Sequence, residues 1–356
     1  MAKVLMKGNE AIAEAALIAG CRHYFGYPIT PQTEIAAYMA KRMPKIGGTF
    51  LQAESEIAAI NMVYGVSSTG KRVMTSSSSP GISLKTEGLS YLAGSDLPAL
   101  VVNVQRGGPG LGTIQPSQAD YFQTVKGGGH GDYKLIALAP ASVQEMADFV
   151  GLAFELAFKY RNPAIILADG VIGQMMEKVV LPPMKPRRTD AEVIAQCPWA
   201  STGKTKDRKP NIITSLELRP EEMEKNNIRF QAKYRIIEEN EVRFEEIDCE
   251  NAEYLIVAFG SMARIGQKAM ELAREEGIKV GMLRPITLWP FPTKAIAAYA
   301  GKVKGMLVTE LNAGQMIEDV RLAVNGKVKV EHFGRLGGIV PDPDEIVTAL
   351  KEKIMQ

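Results

Sequence analysis

Glu56, Thr30, Arg106 and the serine run from Ser76 to Ser79 are the residues of this 356-residue chain whose types and positions could do chemistry. Glu56 opens the stretch EIAAINMVYG, whose small side chains would let a flat ligand or a partner approach closely. The same acid could instead be an ordinary helix N-terminal carboxylate favoured by the macrodipole. Glu54, two residues earlier, points to another face, which argues against a paired-carboxylate acid/base site. The serines could form a polar turn, supply a nucleophile or act as a hydrogen-bonding ledge. No G-x-S-x-G elbow surrounds them, which argues against the nucleophile. Arg106 follows the apolar run Ala99 to Val104 and precedes glycines, so it suits either carboxylate recognition or a structural salt bridge. The loop GGPGLG at 107–112 is not a G-x-G-x-x-G nucleotide fingerprint. GGGHGD at 127–132 leaves His130 in a glycine loop, the setting of a surface histidine. Only three histidines occur, and Cys21, Cys197 and Cys249 lie far apart without C-x-x-C spacing. That argues against histidine-based metal sites, zinc or iron–sulfur ligation and a disulfide framework within this chain.

The elements that must position these residues alternate. Asn9 can cap a helix over residues 10–19, Tyr24 to Tyr27 reads as a short strand, and Thr33 to Arg42 as a helix. The stretch from Gln52 to Gly81 predicts a helix opened by Glu56 and closed at Thr69-Gly70, a strand over 71–75, and a polar turn over 76–81. A helix over 82–93 follows, then a strand at 99–104 buried on both faces, a strand at 135–139, a helix at 142–160 and a strand at 164–168. Such alternation implies right-handed βαβ units and a mainly parallel sheet, whose ligands sit at the carboxyl ends of the strands. Thr30, the serines and Arg106 all follow expected strands.

From Leu181 the texture changes to a charged, Pro-containing connector with one expected helix at 220–238, and a second α/β core begins at Ala252. The expected division is a first domain over 1–183, an extended linker over 184–251 and a smaller domain over 252–356. A net charge of +2 with 46 % apolar and 23 % charged residues describes a globular protein with neither a nucleic-acid footprint nor a membrane-surface patch. No apolar run approaches the roughly 18–20 residues of a membrane span. The N-terminal segment is broken by Lys7, Glu10 and Glu14 and does not read as a signal peptide, so a reducing cytoplasm is the expected location.

Seven segments in order carry a resemblance over nearly the whole chain: YPITP at 27–31, QAESEIAAINMVYG at 52–65, TG at 69–70, SSSPG at 77–81, NVQRGGPG at 103–110, AFGSMAR at 258–264 and LRPITLWPFP at 283–292. Together they resemble the alpha subunit of 2-oxoacid:ferredoxin oxidoreductases, most closely the 2-oxoisovalerate type, with the 2-oxoglutarate type next. The resemblance implies an α/β fold with a thiamine-diphosphate-binding-like pyrimidine domain and a smaller transketolase C-terminal-like domain. It implies oxidative decarboxylation of a 2-oxo acid with coenzyme A, giving acyl-CoA, carbon dioxide and reduced ferredoxin. A thiamine-dependent dehydrogenase component feeding a lipoyl carrier is the alternative, and a non-catalytic binding module a third reading. Glu56 falls where the family's glutamate hydrogen-bonds the cofactor's N1′, and Ser78, Ser79, Pro80 and Gly81 fall in its cofactor-binding segment. Thr30 and Arg106 fall where related enzymes bind the substrate carboxylate. No G-D-G metal loop and no cysteine cluster appear, so the diphosphate with its Mg²⁺ is expected on a beta subunit. The iron–sulfur clusters are expected on a ferredoxin-like subunit, with a gamma subunit completing the complex.

Overall fold

The computed structural model describes residues 3–204, 206 and 208–356. Its central sheet has seven strands in the spatial order Thr287–Trp289, Ile136–Leu138, Ala164–Asp169, Leu100–Gln105, Val73–Ser77, His23–Gly26 and Thr49–Gln52. All neighbours are parallel except Thr287–Trp289, which runs antiparallel to Ile136–Leu138 at one edge. The inner strands Leu100–Gln105 and Ala164–Asp169 are buried at every position, as near-continuous apolar runs between two helical layers must be. A two-stranded antiparallel ribbon, Lys3–Lys7 with Met176–Val180, flanks this domain. The second sheet has five strands in the order Lys329–Gly334, Gly305–Glu310, Tyr254–Ala258, Val280–Pro285 and Phe244–Ile247.

The expected domain limits are crossed twice. Phe244–Ile247, inside the stretch read as connector, pairs antiparallel with Val280–Pro285 and so belongs to the second sheet. Thr287–Trp289, from the stretch read as second domain, joins the first sheet. Between them Arg284 forms a two-point ion pair with Glu145 at 2.6 and 2.8 Å and a further one with Glu245, clamping the two cores together. The Gly260-Ser261 segment packs the same way: Ser261 N donates to Asp169 at 3.1 Å, and Gln118 Nε2 donates to the Phe259 carbonyl at 2.8 Å.

Several expected elements shift, each for a local reason. The strand read over 71–75 runs Val73–Ser77, so Ser76 and Ser77 are sheet residues rather than turn residues. The helix read over 82–93 is two helices, Pro80–Ser83 and Thr86–Gly94, broken at Leu84 and Lys85. Asn9 is not a cap: the helix Gly8–Ile18 starts before it, and its buried amide donates to the Pro31 carbonyl at 2.7 Å and to Glu34 at 2.9 Å. The helix Glu56–Ser68 does have a side-chain cap, Ser55, whose hydroxyl accepts from Ala58 N at 3.2 Å.

That helix reaches the carboxyl ends of the sheet because Gly88 lets it. A Cβ built on Gly88 would lie 2.5 Å from Ile60 Cγ2, and Ile60 is buried. Gly88→Ala therefore overpacks the contact between the Glu56–Ser68 and Thr86–Gly94 helices and costs about 1–3 kcal/mol. Denaturant unfolding is expected to show a lower midpoint, and Ile60→Ala, which removes both crowding Cγ atoms, is expected to cost less in the Gly88→Ala background than alone; an unchanged midpoint in Gly88→Ala would mean the helices separate freely.

Candidate active site

Thr30, Glu56, Ser78, Ser79, Pro80, Gly81 and Arg106 converge at the carboxyl edge of the first sheet. The chain leaves strand Val73–Ser77 at Ser78, and Ser79 turns it sharply with φ +26°. A non-glycine residue held there stores on the order of 1–3 kcal/mol of strain, so neighbours must over-determine it. They do. Ser79 N donates to Asn103 Oδ1 at 3.1 Å, and its hydroxyl bonds to Asp120 at 2.6 Å while accepting from Arg106 N at 3.0 Å. Asn103 also donates to Asp120 at 2.8 Å, so one half-buried carboxylate ties two strand ends and the turn together. Burial pushes the Asp120 carboxyl above its usual range, against the hydrogen bonds from Ser79 and Asn103. Ser79 is thus occupied by the fold, whereas Ser77 and Ser78 have buried hydroxyl oxygens with no partner among the described residues.

Pro80 starts the short helix after this turn, and Gly81 lies against the carboxylate of Glu56. A Cβ on Gly81 would come within 2.6 Å of Glu56 Oε1 and 2.1 Å of Ser77 Oγ. Only glycine allows this approach. Glu56 is 5 % exposed, and among the described residues no side chain or backbone N–H donates to its carboxylate. Glu54, by contrast, is exposed and lies before the Ser55 cap, outside the helix.

Arg106 is buried and is spent mainly on backbone. Its Nη1 donates to the Thr30 carbonyl at 3.0 Å and its Nη2 to the Leu111 carbonyl at 2.8 Å, leaving Nε without a partner. Thr30 itself is exposed. Arg106 therefore joins the YPITP turn to the 107–112 loop through two main-chain carbonyls, with no side-chain ion pair among the described residues. The loop in turn leans on the second domain, since Gly107 approaches the backbone of Gly337 and Gly338. The 127–131 loop lies apart, packed on the start of the Thr86–Gly94 helix, with Gly129 N donating to Tyr133 at 2.9 Å and His130 beside Ser90 and Tyr91.

One further group was not singled out in the sequence. Lys85, at the break between the two helices, is 0 % exposed, and its ammonium donates at 3.4 Å to the main-chain carbonyl of Glu56. Burial pulls its pKa down to about 8, partly opposed by the charge of Glu56. A lysine in the run GISLKTEG carries no signal beyond its apolar setting, which is the only clue the sequence offered. A hydrogen-bonded relay, Tyr24 to Ser76 at 2.7 Å and Ser76 to Gln32 at 2.6 Å, lies beneath the site.

Because the folded pKa of Lys85 is lowered, its contribution disfavours the folded state below about pH 8 and is relieved as pH rises towards its unfolded value. Lys85→Met is expected to stabilise the chain by about 3 kcal/mol at pH 7. The gain should shrink between about pH 8 and 10. Denaturation of both proteins across pH 6–10.5 measures the difference; a variant less stable at pH 7 would mean the ammonium is well satisfied.

Residues 14–241 match the family described as pyruvate flavodoxin/ferredoxin oxidoreductase, thiamine diP-binding, and residues 252–346 match core domain II of pyruvate:ferredoxin oxidoreductase. The chain is 50 % identical over 352 residues to ketoisovalerate oxidoreductase subunit VorB of Methanothermobacter marburgensis, covering 99 % of this chain and 98 % of that one. It is 38 % identical to 2-oxoglutarate synthase subunit KorA of Methanocaldococcus jannaschii, over 97 % of this chain and 98 % of that one. Its fold superposes with a TM-score of 0.84 and 30 % identity on a 2-oxoglutarate:ferredoxin oxidoreductase from Magnetococcus marinus solved with 2-oxoglutarate, coenzyme A and succinyl-CoA. That match covers 99 % of this chain but 65 % of the solved one. A split-gene transketolase, at TM-score 0.62 and 13 % identity, shares the fold alone. The α/β architecture, the buried glutamate at the strand ends and these matches together make the chain a member of the thiamine-diphosphate-binding pyruvate flavodoxin/ferredoxin oxidoreductase family.

Proposed function

We propose that this chain is the pyrimidine-side half of the active site of a 2-oxoacid:ferredoxin oxidoreductase acting on 2-oxoisovalerate (3-methyl-2-oxobutanoate). The reaction converts the 2-oxo acid and coenzyme A to acyl-CoA and carbon dioxide while two electrons pass to ferredoxin. The observation that carries this reading is Glu56: a buried side chain whose carboxylate has no donor among the described residues and lies against Gly81.

The residues present fit thiamine diphosphate. Glu56 offers a carboxylate for the N1′ of an aminopyrimidine, and Gly81, lacking a Cβ, lets that carboxylate sit against the turn after strand Val73–Ser77. Ser77 and Ser78 supply buried hydroxyls with unused hydrogen-bonding capacity. When bound, the cofactor supplies the carbon that adds to the 2-oxo group and accepts the electrons left when carbon dioxide departs. Glu56 holds or releases the proton at N1′, and its burial lets that proton be shared without competition from water. Arg106, through its charge, and Thr30, through its exposed hydroxyl, orient the substrate carboxylate. Since Arg106 also holds Thr30 and the 107–112 loop by their carbonyls, substrate binding and loop position are mechanically linked.

The diphosphate, its Mg²⁺ and the iron–sulfur clusters we assign to other subunits: a beta subunit, a ferredoxin-like subunit and a gamma subunit, with ferredoxin as acceptor. The relatives' names as subunits support this. We place the complex in the cytoplasm, where the three buried free thiols suit a reducing environment. The branched-chain substrate is favoured over 2-oxoglutarate by 50 % against 38 % identity to the two kinds of relative. Exposed apolar side chains of Tyr27, Ile57 and Leu84, on the turns and helices that carry the site, also favour an apolar substrate.

The test is coenzyme-A-dependent viologen reduction by the co-purified complex with a panel of 2-oxo acids. 2-Oxoisovalerate is expected to be the best substrate, and Glu56→Gln to lower kcat by roughly a hundredfold to ten-thousandfold. Glu56→Gln should also weaken thiamine diphosphate binding in calorimetry. Full activity in Glu56→Gln, or reduction with no 2-oxo acid of the panel, would overturn the reading.

A further inference from the structure

At the opposite edge of the first sheet, below the amino ends of strands His23–Gly26 and Val73–Ser77, lies a pocket lined by Arg22, His23, Lys71, Arg72, Arg187 and Arg188. Five permanent cations surround it, and Asp190 is the acid in its lining, an 82 % exposed carboxylate 3.1 Å from Lys71. Part of this charge has a structural use. Arg22 Nη1 donates to the Leu17 and Cys21 carbonyls at 2.7 and 2.9 Å, and Arg72 Nη1 to the Ala19 carbonyl, so both cap the C-terminal end of the Gly8–Ile18 helix. Arg187 donates to the Gly47 carbonyl at 3.0 Å, and Arg188 to Gln196 and the Gly70 carbonyl. Carbonyls alone do not use up these side chains. Arg22 Nε, Arg72 Nε and His23 Nδ1 are buried without partners among the described residues, and Arg22 is 7 % exposed.

The cations also repel one another. Burial first, then the charge of Arg187, lowers the Arg22 pKa, and burial followed by Arg188 does the same for Arg72. His23 is held below its usual range by burial and then by Lys71, Arg187 and Arg22. Planar guanidiniums with unused N–H donors, arranged with an ammonium around one depression, are the chemistry that recognises a phosphate group. The enclosed space is about 30 Å³. One water needs roughly 10–15 Å³, so the space suits one compact oxyanion, with anything attached to it left in solvent.

We propose that this pocket binds a phosphate group, either free phosphate or the phosphate of a nucleotide, and that by doing so it pins the connector residues Arg187 and Arg188 to the base of the first domain. Neither Glu56 nor any other residue at the carboxyl edge takes part, so the proposal stands independently of the oxo-acid reading.

The full chain is titrated calorimetrically with inorganic phosphate at constant ionic strength set by chloride, and its thermal midpoint is followed in parallel. Saturable one-to-one binding and a rise in midpoint over chloride are expected. Lys71→Ala/Arg187→Ala should weaken phosphate binding roughly tenfold or more. Lys268→Ala/Lys279→Ala, with the same change in net charge far from the pocket, should leave it unchanged. Circular dichroism in chloride establishes that both double variants are folded. ADP and coenzyme A form separate arms: binding roughly tenfold tighter than phosphate identifies a nucleotide as the source, and equal or weaker binding identifies free phosphate. No saturable phosphate binding, or equal binding in Lys71→Ala/Arg187→Ala, would overturn the proposal.

Discussion

Taking a carboxylate largely out of water is costly unless hydrogen bonds or an opposite charge replace the solvent, and Glu56, at 5 % exposure, has neither at bonding distance among the described residues. Much of the first domain can be understood as what it takes to keep it there. Ser55 caps the helix that presents it, Gly88 lets that helix pack close to its neighbour, and Gly81 lets the turn after strand Val73–Ser77 press against it. The fixed positive charge nearby, Lys85, is itself buried and weakly bonded, so the charges moderate one another without forming a tight ion pair. A polar group left this way in a folded protein is best explained by a ligand that completes it.

The same constraint explains why two domains are interlocked rather than merely tethered. A site at the carboxyl edge of a parallel sheet depends on loops, and loops are mobile unless something holds them. Here Arg106 ties the YPITP turn to the 107–112 loop, and that loop rests on the Gly337–Gly338 segment of the second domain. The second domain is anchored by the Arg284–Glu145 pair and by the strand Thr287–Trp289 contributed to the first sheet. Leu111, Ile114, Leu336 and Ile339 remain exposed on these two loops, the kind of apolar surface that a subunit interface over the site would cover.

What could be read from the sequence was what periodicity and local chemistry encode. The helix Thr33–Arg42 has the bounds that its pattern predicts, and the buried strand Leu100–Gln105 lies one residue from the expected one. Glu56 was legible because an acid opening a run of small residues is unusual, and family likeness then separated it from Glu54. The remainder depends on contacts between distant segments. Asn9 reads as a cap by position, yet its amide is claimed by Pro31 and Glu34. Ser79 reads as a cofactor ligand, yet Asp120 and Arg106, more than twenty residues on, fully engage it. Phe244–Ile247 is too short and too charged to read as a strand, and becomes one by pairing at a sheet edge. Lys85 and the basic pocket were invisible because lysine and arginine are ordinarily solvated surface residues.

The central claim is that this chain holds the aminopyrimidine end of thiamine diphosphate through Glu56 while another polypeptide holds the diphosphate. A structure of the assembled complex with the cofactor bound tests it most directly. The account predicts the cofactor's N1′ within hydrogen-bonding distance of the Glu56 carboxylate, its ring beside Gly81, and its diphosphate and metal contacted by the partner subunit. A cofactor whose diphosphate lies on this chain, or whose ring makes no contact with Glu56, would contradict it.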